Sequence, residues 1–252
     1  MSRPDTLVRL DVLLVQRGIA ATEEKARALI MAGNVLVEEK VVDKAGTLIS
    51  PEVLLRLKRD EEPYVSRGGV KLKAALENFA IDVRGLVVLD VGASTGGFTD
   101  CLLQEGASKV YALDVGYGQL AWKLREDKRV IAIERTNVRH FNGAGIGEKA
   151  ALATIDASFI SLRLVIPAVL KLLTYDASLL ALIKPQFEVE KKELGRGGVV
   201  SDPAQHSRVI ERIASFCGES GLEVVGVCVS PLTGPAGNKE FFIYGRKRGE
   251  DR

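Results

Sequence analysis

The sequence predicts an α/β protein, in which helices cover both faces of a mostly parallel sheet and a small α+β domain comes first. Over most of the chain, strand-like apolar segments alternate with helical ones, a pattern typical of parallel sheets. The first 59 residues carry shorter segments of a different character. A charged stretch closed by a proline, residues 59–63, separates the two parts and is typical of a linker. We therefore predict domains at residues 1–60 and 66–252, joined by a linker at 61–65.

Composition excludes several classes of protein. Of the 252 residues, 46% are hydrophobic and 27% charged, which is ordinary for soluble globular proteins. The chain has no apolar run of the ~18 residues that a transmembrane helix needs, and its start does not resemble a secretory signal. We expect a cytoplasmic protein. Three dispersed cysteines and two histidines predict neither a disulfide framework nor a metal site.

The predicted small domain contains two helices and a few short strands. Leu10, Leu13 and Leu14 lie at helical spacing, and Gly18 marks the end of that helix. Thr22 is a suitable N-cap for a second helix that ends at Gly33. Valines indicate a hairpin at residues 35–42, and Leu54 to Leu57 indicate a further strand.

The predicted large domain alternates strands with helices. Its strands are predicted at residues 86–91, 109–114, 130–134, 153–156, 179–184, 223–229 and 240–245. Its helices are predicted at residues 97–103, 120–125, 162–173 and 204–217.

A glycine-rich loop follows the first of these strands. In a doubly wound fold this loop lies where cofactors bind, because glycine lets the backbone approach a ligand closely. The spacing matches neither the dinucleotide motif nor a P-loop. Instead, an acid precedes the first glycine by two residues. The candidate cofactor-binding residues of this segment are Asp90, Gly92, Ser94, Gly96, Gly97 and Phe98.

Two further polar residues lie at or just after the ends of the next two strands. Asp114 ends the second strand, where a carboxylate can accept hydrogen bonds from the ribose hydroxyls of a bound nucleoside. Asn137 follows the third strand and can contact an adenine edge. The alternative is that the glycines only make a tight turn, that Asp114 only caps a strand, and that Asn137 is an ordinary turn residue.

Beyond these features, the chain carries longer tracts that resemble a known family. The loop 90–100 resembles that of the FtsJ-like ribosomal RNA methyltransferases, and further tracts resemble the haemolysin-A family more specifically. Those tracts are residues 64–72, 136–139, 184–188, 197–203 and 237–240. The resemblance implies an RNA-binding module of the ribosomal protein S-four type, followed by a Rossmann-like class I methyltransferase domain. It also implies S-adenosylmethionine as cofactor, ribosomal RNA as partner, and 2′-O-methylation of ribose in cytidine as the reaction.

The family's Lys-Asp-Lys-Glu catalytic set falls on residues of this chain. The resemblance places it at Lys71, Asp156, Lys184 and Glu240. A ribose 2′-hydroxyl is a poor nucleophile that must lose its proton as it attacks, so a general base is needed. Lys184 is the candidate base, with Lys71 as a second cation and the two carboxylates as orienting groups. The alternative is that all four form ordinary surface ion pairs.

The candidate RNA-binding residues are basic. They are Arg3, Arg9, Arg17, Lys25 and Arg27 in the small domain, and Arg67 after the linker. The small domain has ten basic and nine acidic residues over 1–60, so it binds RNA weakly unless its cations share one face. Glutamates stand where the family has a basic second-helix start and an Asn-Gly turn, at positions 23, 24, 38 and 39.

Three alternatives stay open at this point. The glycine-rich segment 186–206 is either a lid over the site or a mobile surface loop. The protein could instead be a non-catalytic RNA-binding or ribosome-assembly protein. A haemolysin would need a membrane-inserting segment, and the most apolar stretch, residues 155–173, is interrupted by three charged residues.

Overall fold

The computed structural model describes residues 7–38, 40–57, 63–190 and 193–248. The chain divides into two compact units, residues 1–62 and 63–252. The predicted linker at 61–65 and the boundary at residue 60 stay predictions, because residues 58–62 lie outside the described ranges. Two other residues named above, Arg3 and Glu39, also lie outside them.

The first unit packs two helices on short antiparallel strands. Its helices are α1 (Leu10–Gln16) and α2 (Glu23–Met31). Its strands are β1 (Val8–Arg9), β2 (Val35–Val37), β3 (Lys40–Val41), β4 (Leu48–Ile49) and β5 (Leu55–Leu57). Strand β1 pairs with β4, and β2 lies between β3 and β5. Thr22 caps α2 by accepting a hydrogen bond from the Lys25 backbone N–H, as predicted.

Asp11 is a fully buried carboxylate at the start of α1. It accepts hydrogen bonds from Arg9 Nη2 at 2.7 Å, from Arg27 Nε at 3.1 Å and from the Val12 backbone N–H at 3.0 Å. The Arg9 hydrogen bond is the largest of the effects that lower the pKa of Asp11 to about 2, below its ordinary 3.8.

This buried charge should make the stability of the first unit depend on pH. A carboxyl whose pKa is lowered by folding stabilises the folded state above its ordinary pKa, and this stabilisation disappears as the pH falls through the lowered value. We therefore expect the hydrogen-exchange protection of α1 amides in the full chain to fall roughly tenfold or more between pH 5 and pH 2. Asp11→Asn should remove most of that change. An equal pH dependence in the variant would show that Asp11 is not its cause.

The second unit is built on one seven-stranded sheet. Its strands are β6 (Val87–Val91), β7 (Lys109–Leu113), β8 (Val130–Ile133), β9 (Ala150–Ile155), β10 (Leu173–Ile183), β11 (Leu222–Val229) and β12 (Phe241–Lys247). Their spatial order is β11-β12-β10-β9-β6-β7-β8. All neighbours from β10 to β8 are parallel, and β12 is antiparallel to both β10 and β11.

Helices cover both faces of this sheet. They are α3 (Arg67–Asn78), α4 (Gly97–Gln104), α5 (Trp122–Arg125), α6 (Leu162–Leu170) and α7 (Pro203–Glu219). Successive residues of β6 face opposite sides: Leu89 packs in the core with α6 and α7, and Val88 packs with α3, α4 and α5. The predicted α/β class with a mostly parallel sheet is confirmed.

Several details differ from the sequence prediction; for example, β10 begins at Leu173, six residues before the predicted strand. Helix α3 was not predicted, because two of its first three residues, Gly68 and Gly69, are poor helix formers. Helix α6 ends at Leu170 and not at residue 173, because Leu173 already pairs with Ala150 in the sheet. Glu240 lies directly before β12 and does not begin it.

The most apolar stretch of the sequence is part of the core. Residues 155–173 form the end of β9, helix α6 and the first residue of β10, and they bury Val165, Ile166 and Val169. Within the described ranges, no helix combines the length and the apolar character that crossing a bilayer requires.

Candidate active site

The glycine-rich loop joins β6 to α4 at the carboxyl edge of the sheet. Gly92 and Gly96 have φ angles of +86° and +96°, which favour glycine. A Cβ atom at Gly92 would lie 2.6 Å from the Asp156 backbone oxygen, and one at Gly97 would lie 2.2 Å from Ser66 Oγ. A Cβ at Gly96 would meet Leu124 at 2.2 Å. These glycines therefore let the loop pack closely against its neighbours.

Asp90 lies beneath this loop and is fully buried. It accepts hydrogen bonds from Thr99 Oγ1 at 2.7 Å and from Thr154 Oγ1 at 3.1 Å. Burial raises the pKa of Asp90 to about 7, and the threonine hydrogen bonds oppose this rise. Asp90 lines neither of the two cavities at the loop, so its contacts join α4 and β9 to the end of β6.

The larger cavity lies where the ends of β6, β7 and β9 meet, and its volume is about 510 Å³. Asp114 lines it, and the carboxylate accepts hydrogen bonds from the Ser94 N–H at 2.8 Å and the Gly116 N–H at 2.6 Å. Asn137 lines the same cavity, and its Oδ1 accepts a hydrogen bond from the Arg139 N–H at 3.1 Å. Both predicted nucleoside contacts therefore border one space.

A smaller cavity of about 180 Å³ lies on the other side of the loop. The start of α3 lines it with Ser66, Arg67 and Lys71. The two cavities share three lining residues, and Asp156 lies between them; the shared residues are Gly92, Ser94 and Asp156. Phe98 also borders the smaller cavity, but its ring is buried against Phe242, with 6.1 Å between the ring centroids.

The four residues of the implied catalytic set form two ion pairs. Lys71 Nζ lies 2.6 Å from Glu240 Oε2, and Lys184 Nζ lies 2.6 Å from Asp156 Oδ1. The side chains of Lys71 and Lys184 are each 10% exposed, that of Glu240 is 1% exposed and that of Asp156 is 23% exposed. Lys71 and Asp156 line the smaller cavity, whereas Lys184 and Glu240 line neither of the two cavities.

Lys184 has a second partner within the protein. Its ammonium group donates a hydrogen bond to Ser158 Oγ at 2.8 Å. The Asp156 contact is close, but its angles are not those of a hydrogen bond, and Asp156 Oδ1 makes none among the described residues. Ser158 therefore takes one of the three N–H donors of the ammonium group, and Asp156 attracts the group by charge without a hydrogen bond.

An exposed aromatic ring lies next to this pair and was not predicted from the sequence. Phe159 is 91% exposed, has a φ of +62° and lines the larger cavity. Its ring centroid lies 5.0 Å from that of Phe187. A positive φ at a bulky residue is strained, and such strain concentrates at functional sites. The sequence offered one signal for Phe159, its position three residues after Asp156.

Most of the predicted RNA-binding side chains of the first unit already bind other groups of the protein. Arg9 and Arg27 both bind Asp11, and Arg27 also pairs with Glu23. Arg17 donates hydrogen bonds to backbone oxygens of Pro51 and Val53. Lys25 is exposed on α2. In the second unit, Arg67 donates a long hydrogen bond of 3.4 Å to the Thr233 oxygen.

The described part of the segment 186–206 is tied to the core. Asn238 is 2% exposed; its Oδ1 accepts a hydrogen bond from the Val200 N–H at 2.9 Å, and its Nδ2 donates to the Gly198 oxygen at 3.2 Å. The ring of His206 contacts the Val200 oxygen at 2.8 Å. Asn238 therefore joins this loop to the segment that carries Glu240.

Comparison with known proteins identifies the family. Residues 64–247 match the model of the FtsJ-like methyltransferases, and residues 8–55 match the S4 domain. The chain is 48% identical to the 16S/23S rRNA (cytidine-2'-O)-methyltransferase TlyA of Mycobacterium tuberculosis, over 94% of this chain and 88% of that one. It is 38% identical to Hemolysin A of Brachyspira hyodysenteriae, over 94% and 99% of the two chains.

A solved structure supports the same assignment. A protein from Streptococcus thermophilus, described as a hemolysin, has 41% identity and a TM-score of 0.74, covering 96% of this chain and 89% of that one. The Rossmann-like class I methyltransferase fold and the N-terminal S4 domain implied by the sequence tracts are thereby confirmed. The chain belongs to the FtsJ-like methyltransferase family and carries an S4 domain before its catalytic domain.

Proposed function

We propose that this protein methylates the ribose 2′-hydroxyl of a cytidine in ribosomal RNA, with S-adenosylmethionine as the methyl donor. The observation that carries the proposal is the pair of lysine–carboxylate contacts, Lys71–Glu240 and Lys184–Asp156, beside two cavities that share Asp156. The 48% identical relative named as an rRNA cytidine-2'-O-methyltransferase supports the choice of substrate.

The larger cavity fits the nucleoside part of the cofactor. Its volume of about 510 Å³ lies within the range of small-molecule sites, ~300–1,000 Å³. Asp114 offers carboxylate oxygens to ribose hydroxyls, and Asn137 borders the same space. When bound, S-adenosylmethionine supplies a methyl group already activated on a sulfonium, so the reaction needs no metal.

The two ion pairs take different parts in the reaction. Lys184 acts as the general base only as a neutral amine: it accepts the proton of the 2′-hydroxyl while that oxygen takes the methyl group, and S-adenosylhomocysteine would be the group that leaves. Asp156 and Ser158 hold this amine in place. Lys71 reaches the smaller cavity from α3 and presents a positive charge there, which Glu240 orients. The exposed ring of Phe159 offers the target base a stacking surface, since splayed-out RNA bases stack on aromatic side chains.

The S4 domain supports ribosomal RNA as the partner. Phosphate contacts supply most of the affinity for nucleic acid, and Lys25, Arg17 and Arg67 are the cations proposed to make them. The proposed site of action is the cytoplasm, where ribosomes are assembled.

A substitution at Asp114 tests the cofactor site. Asp114→Ala removes the acceptor for ribose hydroxyls, and losing a charge-assisted hydrogen bond should cost ~1.5–3 kcal/mol of S-adenosylmethionine binding, measured by calorimetry. Asp127→Ala is the matched control, because Asp127 pairs with Arg129 in the loop before β8 and lines neither cavity. Unchanged affinity in the Asp114 variant removes this residue from the site.

Methyl transfer to ribosomal RNA in vitro tests the function. We expect radiolabelled methyl groups to pass from S-adenosylmethionine to RNA and to appear in 2′-O-methylcytidine after digestion to nucleosides. A protein that binds this RNA but transfers no methyl group would instead be a non-catalytic assembly factor.

A further inference from the structure

Two loops carry the Lys184–Asp156 ion pair. One runs from the end of β9 to the start of α6, residues 156–161, and holds Asp156. The other follows β10, residues 184–188, and holds Lys184. The distance between the ammonium and carboxylate groups therefore depends on how these two loops are held against each other.

Glu188 joins the two loops through a buried carboxylate. It is 8% exposed, and it accepts hydrogen bonds from Ser161 Oγ at 2.6 Å and from the Leu162 backbone N–H at 2.7 Å. Ser161 is the N-cap of α6, and Leu162 is the first residue of that helix. The start of a helix favours a negative charge, because its N–H groups lack partners. Burial raises the pKa of Glu188, and both hydrogen bonds oppose this rise.

Two other contacts between the loops lie closer to the ion pair. Lys184 Nζ donates to Ser158 Oγ, and the Phe159 and Phe187 rings touch across the gap. Phe159 is exposed and strained, so its ring contact does not hold the loop alone. The Glu188 backbone oxygen also accepts a hydrogen bond from Arg212 of α7, which fixes Glu188 itself to the core.

We propose that Glu188 is a positioning residue that holds the Asp156 loop against the Lys184 loop and so sets the geometry of the ion pair. This inference rests on the proposed function, in which that pair takes the substrate proton. Glu188 lines neither cavity and acts through Asp156 and Lys184. A displacement of about 1 Å at a reacting group can cost ~10²-fold in rate, so losing this contact should matter for turnover.

Three variants of the full chain test the inference. Glu188→Ala removes both hydrogen bonds. Glu188→Gln keeps an oxygen acceptor for the Leu162 N–H and a polar partner for the Ser161 hydroxyl. Glu219→Ala is the matched control: it removes another serine–glutamate hydrogen bond, from Ser215 at 3.1 Å, at the end of α7 that leads into β11.

Two readouts separate positioning from a general loss of stability. Hydrogen exchange of the amides at residues 157–162 should accelerate at least ~10-fold in Glu188→Ala, and it should stay within ~3-fold of native in Glu188→Gln and Glu219→Ala. The kcat for methyl transfer should fall ~10–100-fold in Glu188→Ala, while the KM values for S-adenosylmethionine and RNA stay within ~3-fold. Glu188→Gln should recover most of the lost kcat.

Distinct results overturn the inference. Unchanged exchange at residues 157–162 in Glu188→Ala, or native kcat in that variant, shows that Glu188 does not position the pair. Equal losses in kcat and cofactor affinity, not rescued by Glu188→Gln, show a merely structural role. If the native protein transfers no methyl group to ribosomal RNA, the proposed function fails, and the exchange experiment still decides whether Glu188 holds the loop.

Discussion

Replacing Lys184 by alanine should lower the rate of methyl transfer by about 10²–10⁴-fold, while S-adenosylmethionine and RNA still bind. Lys184 is the side chain that accepts the 2′-hydroxyl proton in the proposed mechanism, and it contacts Asp156, which lines both cavities, without lining either cavity itself. Its removal therefore takes away a reacting group and leaves the cofactor cavity intact. Single-turnover kinetics and calorimetry on the same preparation measure the two effects.

A second Lys184 variant and a control test whether Lys184 acts by accepting a proton or only by its positive charge. Lys184→Arg keeps the positive charge but should be nearly as inactive as Lys184→Ala, because a guanidinium group stays protonated and cannot accept a proton. Lys73→Ala is a suitable control, since Lys73 lies two residues from Lys71 on α3 and pairs on the surface with Glu105. Near-native turnover of Lys184→Arg would refute the general-base role and leave Lys184 as a positioning charge.

Lys71 requires a different design, because its partner is deeply buried. Lys71→Ala leaves the Glu240 carboxylate, which is 1% exposed, without a cation, and breaking a buried pair in this way typically destabilises a protein strongly. The double variant Lys71→Ala/Glu240→Ala removes both charges and restores neutrality. We expect the double variant to recover stability but not activity, as measured by thermal unfolding and methyl transfer.

Removing the first unit, residues 1–62, should lower RNA affinity at least ~10-fold and leave S-adenosylmethionine binding unchanged. The expectation follows from the S4 domain at residues 8–55, since both cavities and both ion pairs lie in the second unit. The truncation should begin at Pro63, whose backbone oxygen accepts a hydrogen bond from Gln104.

Salt dependence shows which unit holds the phosphates. A protein that neutralises phosphates releases their counterions, so its association constant for RNA falls as the salt concentration rises. On a log–log plot, this constant should fall more steeply for the full chain than for the truncated protein. Lys25→Ala in the full chain should lower this slope by up to about 1, because Lys25 is exposed on α2. An equally tight and equally salt-sensitive complex from the truncated protein shows that the catalytic unit alone binds the RNA.

The sequence predicted some of the parallel strands accurately, because they have a strong local signal, whereas β10 begins six residues before the predicted strand. Buried apolar strands such as β6 and β7, and the glycine loop between β6 and α4, differ from the predicted bounds by one residue at most. Helix α3 was missed, because Gly68 and Gly69 at its start disfavour a helix. Tertiary contacts stabilise it: Gly69 lies so close to Tyr64 that a Cβ would approach the ring to 2.1 Å.

Sequence reasoning could name the candidate site but not how its members pair. Lys71 and Glu240 are 169 positions apart, and only the antiparallel insertion of β12 beside β10 brings Glu240 to the carboxyl edge of the sheet. The pairing of Arg9 and Arg27 with Asp11 could not be predicted from the sequence either, because it forms only when α1 and α2 pack together. Local patterns identify such residues, and long-range packing decides their partners.

The central claim is that this protein places 2′-O-methyl groups on cytidine in ribosomal RNA. Mass spectrometry of ribosomal RNA tests it most directly, in cells that lack the protein and in the same cells supplied with the native chain or Lys184→Ala. We predict that 2′-O-methylcytidine at one or more fixed positions appears with the native chain, and is absent both without the protein and with Lys184→Ala. Identical nucleoside content in all three samples, or a difference confined to base-methylated nucleosides, contradicts the claim.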